Sequence, residues 1–242
     1  MADDIKTHRL VKTPKISARY LADYMAGSDV ARRAILVGCK YQPIARVVQH
    51  DEAKATLSKF FRAENPETAD LVATAAKLRA TMADSDFDRD VLDHNADYLD
   101  RAAKAVPDIT LPGADILAPG ASHAIELEKV RVRPDIQFRL RRVTKTNKVR
   151  IGAATFRYSK GKPLKVDIGE WQSAFLLAYL KLTNLEEGAE SEQKLCITID
   201  AYSGAVIAAP GDSVNRYKNM VAACAAIAER WDNIPPPNGA IF

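Results

Sequence analysis

The chain has 242 residues, of which 47% are apolar and 27% are charged. A chain of this length and composition buries a hydrophobic core without disulfides or metals, which excludes a disordered tail, a collagen-like fibre and a disulfide-stabilised miniprotein. The net charge is only +4, but it is unevenly distributed along the chain.

The first hundred residues predict amphipathic helices, because their apolar residues recur at spacings of three and four. Capping residues or a proline mark the predicted helix starts, near Ser17 or Thr13-Pro14, Ser28-Asp29, His50-Asp51, Asn65-Pro66, and Ser85 or Asp86. Gly38 is expected to end the second helix, and the apolar run Ile44–Val48 favours an extended segment.

Alternating apolar and polar residues predict strands in the second half. The stretch 107–120 holds three prolines and two glycines and is predicted to be a linker. The elements expected after it are strands at Ile125–Val132, Ile136–Leu140 and Val149–Tyr158, a turn at Thr144–Asn147, a helix at Asp167–Thr183, short strands at Leu195–Ile199 and Val206–Ala208, and a final helix from Asp212.

This order predicts an α+β protein, a helical N-terminal half followed by a mixed β-sheet core flanked by helices. We expect a helical region at 1–106, a linker at 107–120 and the mixed-sheet core at 121–242. The helix at 85–104 belongs either to the first region or to the core.

Positive charge is concentrated in residues 129–165, which contain thirteen Lys and Arg but only one acid, Asp135. Such a segment is typical of proteins that bind phosphate-bearing partners. The alternative is a solvated hairpin whose charges are balanced by the acidic segment 84–115. The predicted nucleic-acid contacts are Arg131, Arg133, Arg139, Arg141, Arg142, Lys145, Lys148 and Arg150.

Two tyrosines near the N-terminus, Tyr20 and Tyr24, lie beside Arg19 and are interpreted mainly as core residues, with stacking on nucleic-acid bases as the alternative. The N-terminus lacks the pattern of a secretory signal, and no apolar run is long enough to span a membrane. Three widely spaced cysteines, Cys39, Cys196 and Cys224, indicate reduced core thiols. We therefore expect a cytoplasmic protein.

A few residues of the core fall into a known pattern. Pro134-Asp135 precede the second core strand, Tyr158-Ser159-Lys160 end the third, and Gln172 and Tyr179 lie on the next helix. These residues and the order αβββαβ resemble the PD-(D/E)XK nuclease superfamily, which has the restriction-endonuclease-like fold, and in particular its RecB-like branch. The resemblance covers about residues 85–231.

The resemblance implies a phosphodiesterase site in which carboxylates hold Mg²⁺ or Mn²⁺ and a lysine assists the attacking water. It assigns metal binding to Asp135 and the lysine role to Lys160. Tyr158 stands where the family has its second carboxylate. In some members of the family the second carboxylate lies on the following helix, where the resemblance assigns it to Glu170, and Glu126 or Glu128 is a further possible ligand from the preceding strand.

The charge pattern and the resemblance lead to two possible functions. The first is a nucleic-acid-binding protein, of DNA or RNA, with a nuclease-like core that cleaves phosphodiesters if its metal site is active. The second is a catalytically inactive module on a degenerate nuclease-like scaffold, which binds a protein partner through the N-terminal helices.

Overall fold

The computed structural model describes residues 6–44, 50–183 and 186–242. Its α-helices are α1 (Ala18–Ala26), α2 (Asp29–Lys40), α3 (Asp51–Arg62), α4 (Thr68–Ala80), α5 (Asp86–Ala105), α6 (Val166–Thr183) and α7 (Ser213–Arg230). Its strands are β1 (His8–Leu10), β2 (Lys15–Ser17), β3 (Tyr41–Pro43), β4 (Asp115–Leu117), β5 (Ile125–Leu127), β6 (Val130–Arg133), β7 (Phe138–Val143), β8 (Val149–Arg157), β9 (Glu190–Asp200) and β10 (Val206–Ala208).

The central element is a five-stranded mixed sheet in the order β10-β9-β8-β7-β4. Strands β8 and β9 are parallel, and the other neighbours are antiparallel. A parallel pair needs a crossover connection, which α6 supplies. The edge strand β4 lies within the predicted linker 107–120, so this segment is part of the sheet. The mixed sheet and its flanking helices confirm the predicted α+β class.

A second sheet, in the order β2-β6-β5, occupies the region predicted as one alternating strand at Ile125–Val132. The chain instead reverses at Glu128 and Lys129, whose φ angles are 47° and 65°. Two successive residues with positive φ form the tight turn that suits the twist of a β-hairpin. The turn explains the break in alternation at Lys129 and makes β5 and β6 an antiparallel hairpin.

Two hydrophobic clusters are buried between the sheet and the helices that flank it. One joins α1, α6 and α7 and includes Leu21, Phe175 and Trp231. The other joins α3, α4 and α5 to the strands and includes Leu57, Leu99, Phe138 and Phe156. Full burial of each such side chain contributes about 1.5–3 kcal/mol. Because both clusters draw on residues from before and after residue 106, the helical half packs directly on the sheet.

Several helix bounds differ from those predicted. Helix α2 runs through Gly38 to Lys40, and α4 begins at Thr68, two residues after Pro66. Helix α6 agrees with the prediction to within one residue. Residues 45–48 of the predicted extended run lie outside the described ranges. Among the described residues, no helix combines the length and hydropathy needed to cross a lipid bilayer.

The Lys40 side chain is buried, although a charged side chain is normally exposed to solvent. Its ammonium group donates to the carbonyl oxygens of Trp231, Asp232 and Ile234 at 2.6, 3.0 and 3.2 Å. These carbonyls follow the C-terminal end of α7, where the helix dipole favours a cation. Lys40 therefore fixes the end of α7 against α2.

Candidate nucleic-acid interface

Three exposed cations are placed together by the small sheet. Strand β2 pairs in parallel with β6, so that Lys15 lies opposite Arg131 and Ser17 lies opposite Arg133. Alternation turns Ile16, Val130 and Val132 into the core and leaves Lys15, Arg131 and Arg133 on the outer face. Ser17 also begins α1, since its hydroxyl accepts a hydrogen bond from the Tyr20 amide at 3.2 Å.

The three cations line a groove with a volume of about 400 Å³, to which Tyr20, Gln42 and Ser17 also contribute. We call Lys15, Arg131, Arg133 and Tyr20 the basic groove. None of its three cations forms an ion pair with another described residue. The Tyr20 side chain is 48% exposed, whereas Tyr24 is buried. The groove therefore presents three cations that have no ion-pair partner among the described residues, beside an exposed aromatic ring.

Glu126, which the sequence suggested as a further metal ligand, lies on β5 directly opposite Arg131. Its side chain is exposed on the same outer face. This position is in the three-stranded sheet, whereas Asp135 leads into β7 of the five-stranded sheet. Glu126 is thus a neighbour of the basic groove and forms no recorded contact with Asp135 or Glu170.

The other predicted nucleic-acid contacts lie on the β7–β8 hairpin, where three arginines are neutralised. Arg141 contacts Glu186 at 2.8 Å, Arg142 forms a two-point pair with Glu192, and Arg150 pairs with Glu190. Their acidic partners lie just before and on β9, and not in the segment 84–115. The hairpin arginines therefore balance charge within the chain.

The remaining hairpin cations differ from one another. The Arg139 Nε donates to the carbonyl of Ala118 at 3.1 Å, next to the edge strand β4. Lys145 and Lys148 are exposed at the turn between β7 and β8. The structure thus divides the eight predicted contacts: Arg131 and Arg133 line the basic groove, and the other six lie on the hairpin.

The three residues predicted to be catalytic have separate ion partners. Asp135 binds Lys54 of α3 at 2.8 Å, Lys160 binds Asp97 of α5 at 2.7 Å, and Glu170 binds Arg216 of α7 at 2.7 Å. Asp135 also accepts a hydrogen bond from Gln137 at 2.8 Å. The Lys160 ammonium, with Arg79, lowers the pKa of Asp97.

These contacts do not fit a Mg²⁺ or Mn²⁺ site. A divalent cation needs several oxygen ligands directed at one point. Among residues 6–44, 50–183 and 186–242, no three His, Cys, Asp or Glu side chains are grouped in a way that suits a metal ion. Asp135 and Glu170 instead neutralise Lys54 and Arg216, so we derive no chemical step through a metal.

A buried polar centre lies at the end of β8 and was not predicted. The Arg157 guanidinium is 7% exposed and binds Asp23 of α1 at 2.6 Å. It also donates to Gln172 of α6 at 3.0 Å and to the carbonyl of Arg19 at 3.2 Å. Burial lowers the pKa of Arg157, and the Asp23 carboxylate opposes this shift. The sequence signal that could have revealed it was one arginine directly after the apolar run Ile151–Phe156.

The residues that carried the family resemblance have structural contacts here. Gln172 links Arg157 to Thr155, and the Tyr179 hydroxyl bonds the backbone of His123 at 3.1 Å. Tyr158, at the position of the missing carboxylate, stacks on Tyr98 with ring centroids 4.2 Å apart. Burial raises the pKa of Tyr158, so its hydroxyl stays neutral and cannot replace a carboxylate.

All three cysteines are buried and free, as the sequence predicted. Burial raises the pKa of Cys39 to about 11 and the pKa values of Cys196 and Cys224 to about 12. Neutral, enclosed thiols are poor nucleophiles. The cysteines therefore act as small core residues.

Comparison of the sequence with models of known protein families and with curated proteins finds no match.

Proposed function

We propose that this protein binds nucleic acid, and that the basic groove contacts the phosphate backbone. The observation that carries the proposal is the set of three exposed, unpaired cations around one groove. Lys and Arg that neutralise phosphates release condensed counterions, which provides affinity independent of base sequence. The same three charges would repel one another if no anion occupied the groove.

The arrangement suits an extended strand of nucleic acid. Arg131 and Arg133 are two residues apart on β6, which places their backbones about 7 Å apart along the strand. Lys15 lies beside them on β2. The exposed Tyr20 ring offers a surface on which a base stacks, a contact that tolerates any base. Single-stranded DNA or RNA is therefore the substrate class that we propose.

The nuclease-like core is part of this proposal. Its support is the order of the five-stranded sheet, with α5 and α6 packed on it and Asp135 leading into β7. Metal-dependent cleavage remains a prediction from the resemblance alone, because the Asp135, Lys160 and Glu170 side chains are bound to other residues.

The proposal is tested with two triple variants that remove equal charge. Lys15, Arg131 and Arg133 are replaced by Ala in one variant, and Arg141, Arg142 and Arg150 are replaced by Ala in the control. Fluorescence anisotropy of a labelled 20-nucleotide single-stranded DNA or RNA then gives the affinity at several salt concentrations.

Each lost phosphate contact reduces the steepness of log K against log salt by about 0.7 for a single strand. The groove variant is expected to lose about 2 from this slope, and the control less than about 0.7. Equal losses in both variants would show that only overall charge matters. No binding by the wild type at low salt would contradict the proposal and favour the protein-interaction alternative.

The same oligonucleotides, incubated in Mn²⁺ or in EDTA, test the prediction of cleavage. Cleavage that requires Mn²⁺ and disappears in Lys160→Ala would support catalysis by the predicted residues. Intact oligonucleotide in both conditions, together with binding, would leave a nucleic-acid-binding protein without nuclease activity.

A further inference from the structure

A second cavity, with a volume of about 480 Å³, lies at the carboxyl ends of β8 and β9. These strands are the parallel pair of the main sheet, and the loop 158–165 that leads into α6 forms one side of the cavity. Helices α1 and α2 form another side. Ligands of mixed α/β sheets commonly bind outside the carboxyl ends of parallel strands. Because different residues of α1 line it, this cavity is distinct from the basic groove.

The charges around the cavity are unbalanced. Asp200 accepts hydrogen bonds from the amides of Leu164 and Tyr202 and from the Ser203 hydroxyl, at 2.9, 3.1 and 2.5 Å. Asp23 is engaged by Arg157. Both acids that line the cavity are thus bound within the chain.

Three further cations line the same cavity: Arg19, Lys162 and Lys165. In the described part of the chain, none of them has an acidic partner. Lys162 and Lys165 are exposed, so their ammonium groups are free to reach an anion. The cavity therefore has an excess of positive charge after its own acids are satisfied.

Arg19 is the cation of this cavity that lies nearest to the buried Arg157 centre, since its carbonyl accepts from Arg157. Its Nε atom is buried and has no hydrogen-bond acceptor. Buried polar groups in native proteins almost always have a partner, so an unsatisfied guanidinium donor requires an explanation. The Arg19 side chain also lines the cavity, and a guanidinium binds phosphate oxygens at two points through its terminal nitrogens.

Part of the cavity wall is apolar. It is formed by Ala26, Ala31, Ile35 and Ile168. A cavity of this volume is in the range that holds small organic ligands. The ligand that matches both the cationic and the apolar part of the cavity has an anionic head and a flat or apolar body about the size of a mononucleotide.

We propose that this cavity binds a phosphomonoester, with its phosphate at Arg19, Lys162 and Lys165 and its body against the apolar wall. The phosphate belongs either to a free mononucleotide or to the end of a nucleic-acid strand. The site is separate from the basic groove, so the groove variant with Lys15, Arg131 and Arg133 replaced by Ala is expected to retain it.

Isothermal titration calorimetry with AMP and adenosine tests the proposal. AMP is expected to bind at least tenfold more tightly than adenosine. Arg19→Gln is expected to weaken AMP at least tenfold, and the exposed Lys162→Ala about threefold. Arg33→Gln, on α2 but lining a different cavity, is the control and is expected to change affinity less than twofold.

Ala31→Phe provides a second variant that leaves the cations in place. Its ring would occupy the space at the apolar wall, so AMP binding is expected to be lost while inorganic phosphate still binds. Circular dichroism establishes that each variant is folded. Equal binding of AMP and adenosine, no binding of AMP at millimolar concentration, or wild-type affinity in folded Arg19→Gln would overturn the proposal.

The source of the phosphate is identified with hexanucleotides that carry either a 5′-phosphate or a 5′-hydroxyl group. A preference for the phosphorylated strand that Arg19→Gln abolishes would assign the cavity to strand ends. AMP binding without such a preference would assign it to a free mononucleotide.

Discussion

Replacement of Asp23 by Asn is expected to destabilise the protein through the charge that it leaves behind. The Arg157 side chain is 7% exposed and the Asp23 side chain 23% exposed, and their polar atoms are 2.6 Å apart. Without the carboxylate, the buried guanidinium keeps only neutral acceptors, on Arg19 and Gln172.

Removing one partner of a fully buried ion pair costs about 3–5 kcal/mol. Because Asp23 retains some contact with water, we expect a loss of about 2–4 kcal/mol in the free energy of unfolding. For a chain of this size, each kcal/mol lowers Tm by about 2–4 °C. The expected decrease in Tm is therefore about 4–16 °C.

Urea unfolding followed by circular dichroism at pH 7 measures this loss, and thermal unfolding gives Tm. Asp29→Asn is the matched control, since Asp29 is 89% exposed and also pairs with an arginine, Arg32. We expect the control to change stability by less than about 0.5 kcal/mol.

Arg157→Met combined with Asp23→Asn should be more stable than Asp23→Asn alone, because no unpaired charge remains buried. If Asp23→Asn is no more destabilising than Asp29→Asn, the inference that this pair is structurally important is wrong.

Two further predictions concern the sheet and a half-buried histidine. Gly152→Ala is expected to cost about 3 kcal/mol or more in urea unfolding, because its Cβ would lie 2.0 Å from the carbonyl oxygen of Leu195. Gly38→Ala is the control and should be neutral or stabilising, since its Cβ would have no neighbour within 4 Å. Wild-type stability of Gly152→Ala would contradict the close packing of β8 on β9. Burial, reinforced by the nearby positive charges, lowers the pKa of His50 below its ordinary value of 6.5. At a pH between this lowered pKa and 6.5, the unfolded chain therefore binds more protons than the folded chain. The free energy of unfolding should therefore fall as the pH decreases below 6.5 and level off below the lowered pKa, and a His50→Gln variant with the same pH dependence would refute this assignment.

Local patterns predicted most of the helices and strands. Helix α6 could be located because its apolar residues recur at helical spacing after a turn that contains glycine and proline, β7 because its apolar and polar residues alternate, and β8 because an apolar run follows the turn 144–147. The hairpin at Glu128 and Lys129 was missed, since neither residue type is typical of positive φ. The edge strand β4 was missed because its three residues lie among prolines and glycines, where pairing with β7 overrides local preference.

The candidate sites were less accessible from the sequence. The concentration of positive charge in residues 129–165 pointed to Arg131 and Arg133. It could not show that these two have no ion-pair partner within the described ranges, whereas Arg141, Arg142 and Arg150 form ion pairs. Their difference arises from where β9 places Glu190 and Glu192, which are forty or more residues away along the chain. Lys15 of β2 and Arg19 and Asp23 of α1 lie far before β6 and β8 in the chain, so nothing local connects them to these strands.

The sequence by itself determined the α+β class, the reduced buried thiols and the concentration of positive charge, because these depend on composition and on short-range periodicity. Only the tertiary structure decided which cations are paired, which line a cavity and which carboxylates are bound by lysine or arginine. The physical reason is that the interaction energy of charges depends on distance and burial, and both are set by contacts between residues far apart in the chain.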